Sequence, residues 1–190
     1  MLSVTDPLTG SYNRMHFIET AEQFLEDCRA RDCRLSLALI DVDRFGALND
    51  EYGEAAGDQA LVAVVDACNA ILHDAFSDLK EKGIGVSRLG GEEFAFMLPT
   101  MDSAIAVSFL ESIRACVADR EINHQDNRFR VTISIGVAVL GAGDSLDDLL
   151  AHADCALYQA KEEGRNKVVL YRPGLATPPV GRRVTRSEGR

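Results

Sequence analysis

The sequence predicts an α/β fold in which helices flank a mixed central sheet, and three observations carry that expectation. Residues 35–42, LSLALIDV, are almost continuously apolar, the pattern of a central strand covered on both faces. Residues 129–139 alternate strictly, with Val131, Ile133, Ile135, Val137 and Val139 on one side and the small residues Thr132, Ser134, Gly136 and Ala138 on the other. Strand, helix, hairpin, helix, strand, helix and strand follow one another in an order that suits such a sandwich.

The elements can be justified in turn. Phe17, Ala21, Phe24, Leu25 and Cys28 fall at helical spacing behind Asn13, a suitable N-cap. After the strand at 35–42, Asn49 to Gly53, with Gly57-Asp58 just beyond, read as loop and cap residues. Residues 55–76 form a long helix, and 84–89 with 93–99 form a hairpin around Gly90, Gly91 and Glu92. Ile105, Phe109, Ile113 and Cys116 mark a helix over 102–119. Leu146, Leu149, Leu150, Ala153, Leu157 and Ala160 mark another over 145–163, and KVVLY at 167–171 closes as a strand. The expected domain therefore spans residues 1–171. Residues 172–190, with adjacent prolines and no periodicity, read as a disordered basic tail or linker.

Composition narrows the function classes. The 190 residues carry a formal charge of −10, which argues against DNA or RNA as a partner held through massed cations. Arg172, Arg182, Arg183, Arg186 and Arg190 against Glu188 leave the tail at +4 and the body at −14. No apolar run approaches the roughly 20 residues that cross a bilayer, so no membrane contact by this domain and a cytoplasmic location are expected. Five cysteines without a CxxC pair suggest reduced, mostly buried thiols.

Four constellations carry chemistry. Asp41-Val42-Asp43 ends a buried strand, and Gly90-Gly91-Glu92-Glu93-Phe94 occupies a hairpin tip. Lys161 and Arg165 surround Gly164 at a helix end, and Asn49 to Gly53 lies just before Gly57-Asp58. Singly, each is ordinary: a polar strand end, a turn, cations complementing a helix dipole, a loop. Carboxylates gathered from a strand end and a tight turn would nevertheless repel unless a cation joined them, and hard divalent ions take such oxygen ligands.

Taken together, these residues resemble the GGDEF family of diguanylate cyclases. The matching blocks are Asp6-Pro7-Leu8-Thr9-Gly10 with Asn13-Arg14, Asp41 to Asp50, Arg88-Leu89-Gly90-Gly91-Glu92-Glu93-Phe94, Val131 to Val137, and Ala153-Asp154 to Arg165-Asn166. The resemblance implies a five-stranded, palm-like sheet and condensation of two GTP molecules into cyclic di-GMP and two pyrophosphates. It implies that Asp41 and Glu92, with the Val42 carbonyl, bind two Mg²⁺ or Mn²⁺ per site. Glu93 then receives the proton of the attacking hydroxyl or completes the metal shell, within the signature Gly90, Gly91, Glu92, Glu93 and Phe94. The same resemblance assigns the guanine to Asn49 and Asp58 with Leu61 beside the base, and the phosphates to Lys161, Arg165 and the Phe45 segment. A transient homodimer is implied because each site supplies one GTP. An N-terminal sensor domain is expected outside this chain.

The sequence departs from the family pattern at three places. Gly46 stands where a lysine is usual, Glu54 where a histidine is usual, and Glu81-Lys82-Gly83-Ile84 where many relatives carry an inhibitory R-x-x-D motif. The alternative expectation is a catalytically weak or inactive module that binds GTP and serves in signalling.

Overall fold

The strand at 35–42 is apolar on both sides because helices cover both sides. In the computed structural model, which describes residues 3–75, 85–99 and 103–179, the elements are β1 (Tyr12–Asn13), α1 (Arg14–Arg31), β2 (Leu35–Val42), α2 (Phe45–Tyr52), α3 (Glu54–Ala75), β3 (Ser87–Gly90), β4 (Glu93–Pro99), α4 (Ser103–Asp119), β5 (Ile122–His124), β6 (Asn127–Phe129), β7 (Ile133–Val139), α5 (Leu146–Glu162) and β8 (Val168–Leu170). One mixed sheet has the order β1-β3-β4-β2-β7-β8, with β5 and β6 forming a separate ribbon. The β2 strand runs antiparallel to both β4 and β7, while β1 and β8 add parallel edges.

The two faces sort by alternation. Ala38, Ile40 and Val42 of β2 join Phe94, Phe96, Ile133, Ile135 and Val137 beneath α3 and α4. Leu35, Leu37 and Leu39 join Ala95, Met97 and Ala138 beneath α1 and α5. Phe94 and Phe96 are at most 1% exposed, and truncating either to alanine would cost about 3–5 kcal/mol. The small-residue face of β7 admits α5 closely: a Cβ on Gly136 would lie 2.1 Å from the Ala153 carbonyl oxygen.

Several sequence expectations are corrected. The sheet has six strands rather than five, because the two-residue β1 pairs through its main chain and is too short to show alternation. The single strand expected over 129–139 divides: Phe129 ends β6 and stacks on Tyr52 at 4.9 Å, and β7 starts at Ile133. Asn49 to Tyr52 belong to a helix, α2, rather than a loop, though Gly53 does serve as C-cap at φ 86°. One 19-residue stretch, Glu54–Leu72, is long and apolar enough to cross a bilayer with mean hydropathy 1.3. Its apolar side, including Ala56, Ala60, Leu61, Val64, Val65 and Cys68, is spent on the core.

Asn13 caps α1 as expected, accepting from the His16 N–H. All five cysteines are free, and burial first of all pushes Cys28 and Cys68 up to about 12, leaving them as thiols. Glu81-Lys82-Gly83-Ile84 and residues 180–190 of the tail lie outside the described residues.

Candidate active site

Antiparallel register builds the centre of the site. Asp41, near the end of β2, lies opposite Glu93 of β4 on one side and Ser134 of β7 on the other. The Val42 N–H donates to the Glu92 carbonyl at 3.3 Å, which sets the hairpin tip against the strand end. Gly91 turns that tip at φ 51°, a conformation that costs glycine little. Phe94, wholly buried, anchors the hairpin from below and touches the core rather than the open face.

From the other layer α5 brings Lys161, whose Nζ stands 2.5 Å from Asp41 Oδ2, with both side chains 8% exposed. Seven residues earlier on α5, Asp154 is also buried. The Glu93 carboxyl is pushed above the usual glutamate range, first by burial and then by the negative charges of Asp41, Asp154 and Glu92, against the lowering pull of Lys161. The centre thus holds four carboxylates and one ammonium.

Those residues fit a hard divalent cation. Asp41, Glu92 and the Val42 carbonyl are an all-oxygen donor set, and the carboxylate excess recorded at Glu93 is what added positive charge relieves. Among the described residues no group of three or more His, Cys, Asp or Glu side chains is placed to hold a metal ion. Lys161 is the cation now paired with Asp41.

Asp43 plays a separate part. Its carboxylate accepts from Thr132 Oγ1 at 2.7 Å, Ser134 Oγ at 2.6 Å and the Asn166 N–H at 3.0 Å. It therefore ties the end of β2 to β7 and to the turn after α5, where Arg165 and Asn166 both hold positive φ, 66° and 48°. Consecutive left-handed residues other than glycine are costly, and these hydrogen bonds help hold them.

Asn49 lies where α2 packs on α3, and the structure does not bring Asp58 into contact with it. A Cβ on Gly57 would fall 1.9 Å from Asn49 Oδ1, so only glycine lets the amide in. That Oδ1 is buried and has no hydrogen-bond partner among the described residues. Asp58 is exposed and lines a depression of about 240 Å³ with Leu8 and Val62. Leu61 is 1% exposed within the core, and Phe45 packs, partly buried, against the same core. Arg165 lines a different cleft of about 420 Å³, together with Arg44 and Arg130.

Sequence reasoning missed the parts played by Asp154, Asp43 and the link between Asp6 and the hairpin. Arg88 donates through Nε to the Gly91 carbonyl at 2.9 Å and through Nη1 to Asp6 Oδ1 at 3.1 Å. The available signal was the polar side of β7, Thr132 and Ser134, which faces Asp43 at the strand end.

Comparison with known proteins follows the same lines. Residues 3–167 match the family described as "Diguanylate cyclase, GGDEF domain". The diguanylate cyclase DgcM of Escherichia coli K12 is 40% identical over 166 residues, covering 86% of this chain and 37% of that protein. The response regulator PleD of Caulobacter vibrioides is 36% identical over 173 residues, covering 88% and 36%. The chain thus spans little more than a third of the length of these relatives. The crystal structure of the GGDEF domain of DgcB from Caulobacter crescentus in complex with c-di-GMP superposes with a TM-score of 0.81 at 28% identity, covering 90% of this chain and 96% of that one. A GGDEF-only structure of YfiN from Pseudomonas aeruginosa gives 0.79 at 32% identity, covering 88% and 94%.

Proposed function

The chain belongs to the GGDEF family of diguanylate cyclases, and from that premise we propose that it condenses two GTP molecules into cyclic di-GMP with release of two pyrophosphates. The observation that carries this reading is the convergence of Asp41, Val42 and Glu92 beside Lys161 at the end of β2.

The 3'-hydroxyl of each GTP attacks the α-phosphate of the other, the new P–O bond forming as the bond to pyrophosphate breaks. Asp41, Glu92 and the Val42 carbonyl would hold the divalent ions, proposed as two Mg²⁺ or Mn²⁺. When bound, these ions polarise the α-phosphate and acidify the attacking hydroxyl. Glu93, whose carboxyl is raised above the usual glutamate range by burial and by Asp41, takes the hydroxyl proton in its ionised form. Lys161 exchanges Asp41 for phosphate oxygens, and Arg165 holds the terminal phosphates. The partnerless Asn49 oxygen meets a guanine N–H, and Asp58 accepts from the Watson–Crick edge. Most of the rate gain comes from positioning and fixed charge rather than from covalent chemistry of the protein.

Each site carries one GTP, so two copies of the domain must face each other, and we propose a transient homodimer acting in the cytoplasm, where GTP is supplied. Incubating the concentrated protein with GTP and Mg²⁺ and separating the products by chromatography tests the reading. Cyclic di-GMP and pyrophosphate are expected. Unreacted GTP alone, or a cyclic mononucleotide, overturns it.

A further inference from the structure

Where α1 ends, the chain sets two thiols against each other. The helix stops at Arg31, Asp32 takes a left-handed conformation at φ 51°, and two main-chain hydrogen bonds close the turn: the Cys33 N–H donates to the Cys28 carbonyl at 2.9 Å and the Asp32 N–H to the Arg29 carbonyl at 3.4 Å. This pair of bonds brings the side chain three residues before a helix end against the side chain two residues beyond it, a contact that two apolar residues commonly make. Here both positions are cysteine. The Cys28 thiol donates to the Cys33 sulfur, and Cys33 packs, partly buried, on the cluster that holds Cys28, Leu25 and Leu35.

The two sulfurs differ in access. Cys28 is 2% exposed, whereas Cys33 is half-buried and reaches solvent. Burial first, then the hydrogen bond to Cys33, push the Cys28 thiol up to about 12, and Asp27 adds to this against the pull of Arg31. Cys28 therefore keeps its proton, and an oxidant arriving from solvent meets Cys33 first. Cys68 and Cys116 are also neighbours, Cys116 adding to the burial that raises the Cys68 thiol. They stand on different helices, α3 and α4, so no closed turn fixes one sulfur against the other. Cys28 and Cys33 belong to one turn and need no movement of α1 against the sheet in order to join. The pair precedes β2, at the opposite end of that strand from Asp41.

We propose that Cys28 and Cys33 form a reversible oxidation site that consumes one hydroperoxide, with Cys33 as the attacked thiol and Cys28 as the resolving one. Cys33 sulfur takes the terminal peroxide oxygen as the O–O bond breaks, giving a sulfenic acid and releasing water or an alcohol that carries the proton. Cys28 sulfur then attacks the Cys33 sulfur, the S–O bond breaks, and the departing hydroxide leaves as water with the Cys28 proton as the S–S bond forms. Two thiols lose two electrons and two protons, and the peroxide gains them. The inference is independent of the cyclase reading.

Peptide mapping of the full chain after treatment with hydrogen peroxide and alkylation of the remaining thiols tests this. Tryptic cleavage after Arg29 and Arg31 puts Cys28 and Cys33 in separate peptides unless a disulfide joins them, so the bridge is read directly. The expected result is a Cys28–Cys33 linked pair, lighter than its two peptides by two hydrogens, that dithiothreitol returns to free thiols. In Cys28→Ala the sulfenic acid has no resolving thiol, and Cys33 is expected to pass to the sulfinic acid, which dithiothreitol does not reverse, severalfold faster than in the natural protein. Because Cys28 is buried, the map of the natural protein decides without any variant. Sulfinic acid at Cys33 in the natural protein with no bridge to Cys28 overturns the proposal. So does a bridge between Cys68 and Cys116 in place of the expected one, or irreversible oxidation of Cys33 at a rate that Cys28→Ala leaves unchanged.

Discussion

Lys161 Nζ lies 2.5 Å from Asp41 Oδ2 with both side chains 8% exposed, so a proposed phosphate cation and a proposed metal ligand neutralise each other. In the proposed reaction their separation is an exchange in which the ion takes the carboxylate and the phosphate takes the ammonium. Ground-state pairing of this kind keeps two desolvated charges satisfied until substrate and metal arrive together.

That pairing distinguishes two substitutions that look alike in an activity assay. Asp41→Ala and Glu92→Ala are both expected to abolish product formation. Only Asp41→Ala leaves Lys161 buried without its partner, a loss of about 3 kcal/mol, which lowers the melting temperature by roughly 6–12 °C in a domain of this size. Glu92, half-buried at the hairpin tip, leaves stability nearly unchanged. Near-normal turnover by Glu92→Ala would remove the site assignment.

The Arg88 bridge predicts control of the signature hairpin from the N-terminal motif. Asp6 is held below the usual aspartate range: burial opposes this, but hydrogen bonds from Thr9 and the Arg88 guanidinium outweigh it. A depressed carboxyl contributes stability above its unfolded pKa and loses it as pH falls through the folded value. The stability gap between the natural protein and Asp6→Asn is therefore expected to be full at neutral pH and to close at strongly acid pH. Arg88→Ala, which frees the Gly91 carbonyl, is expected to lower kcat more than it raises the Michaelis constant for GTP.

How much of this was legible beforehand depended on the length of the signal. β2 and α5 carry eight and 17 residues of pattern and were readable with their site residues. α2 has only eight residues and begins at Arg44 with no side-chain cap, so neither periodicity nor capping marks it. Arg130 was hidden inside what reads as one continuous strand, because alternation does not show where β6 ends. Asp6 and Arg88 are separated by 82 residues, and no local pattern reports a contact made by topology.

Glu93 predicts a pH dependence of opposite sign. Its carboxyl is raised, chiefly by burial and then by Asp41, so protonation favours the folded state and stability falls as pH rises from the ordinary glutamate value through the folded one. In the presence of a chelator, Glu93→Gln is expected to melt higher than the natural protein at neutral pH and equally at acid pH. A melting temperature for the variant below that of the natural protein at neutral pH would contradict the electrostatic reading.

In the proposed dimer two facing sites come from two chains, which brings concentration into the rate law. Specific activity is expected to rise with protein concentration across a wide dilution series. A constant value would count against a transient dimer.

Gly46 is the position at which the family lysine is replaced, and the structure shows that a side chain fits there. A Cβ on Gly46 meets nothing within 4 Å, and the residue lies in the first turn of α2. Gly46→Lys therefore avoids steric cost and gains about 0.5–1 kcal/mol of helix propensity. If the new ammonium reaches a GTP phosphate, one charge-assisted hydrogen bond of about 1.5–3 kcal/mol is added, which is roughly a tenfold to hundredfold gain in GTP affinity or turnover. Position 46 is not among the residues that line the cleft of Arg44, Arg130 and Arg165, whose α2 wall includes Ala47, Leu48, Glu51 and Tyr52. The expected pattern in steady-state kinetics is a lower Michaelis constant or faster turnover for Gly46→Lys, slower catalysis for Arg44→Ala, and rescue of Arg44→Ala by Gly46→Lys. Improved stability of Gly46→Lys with no kinetic change would mean that the lysine has only a helical role here and that the arginines already supply the phosphate charge.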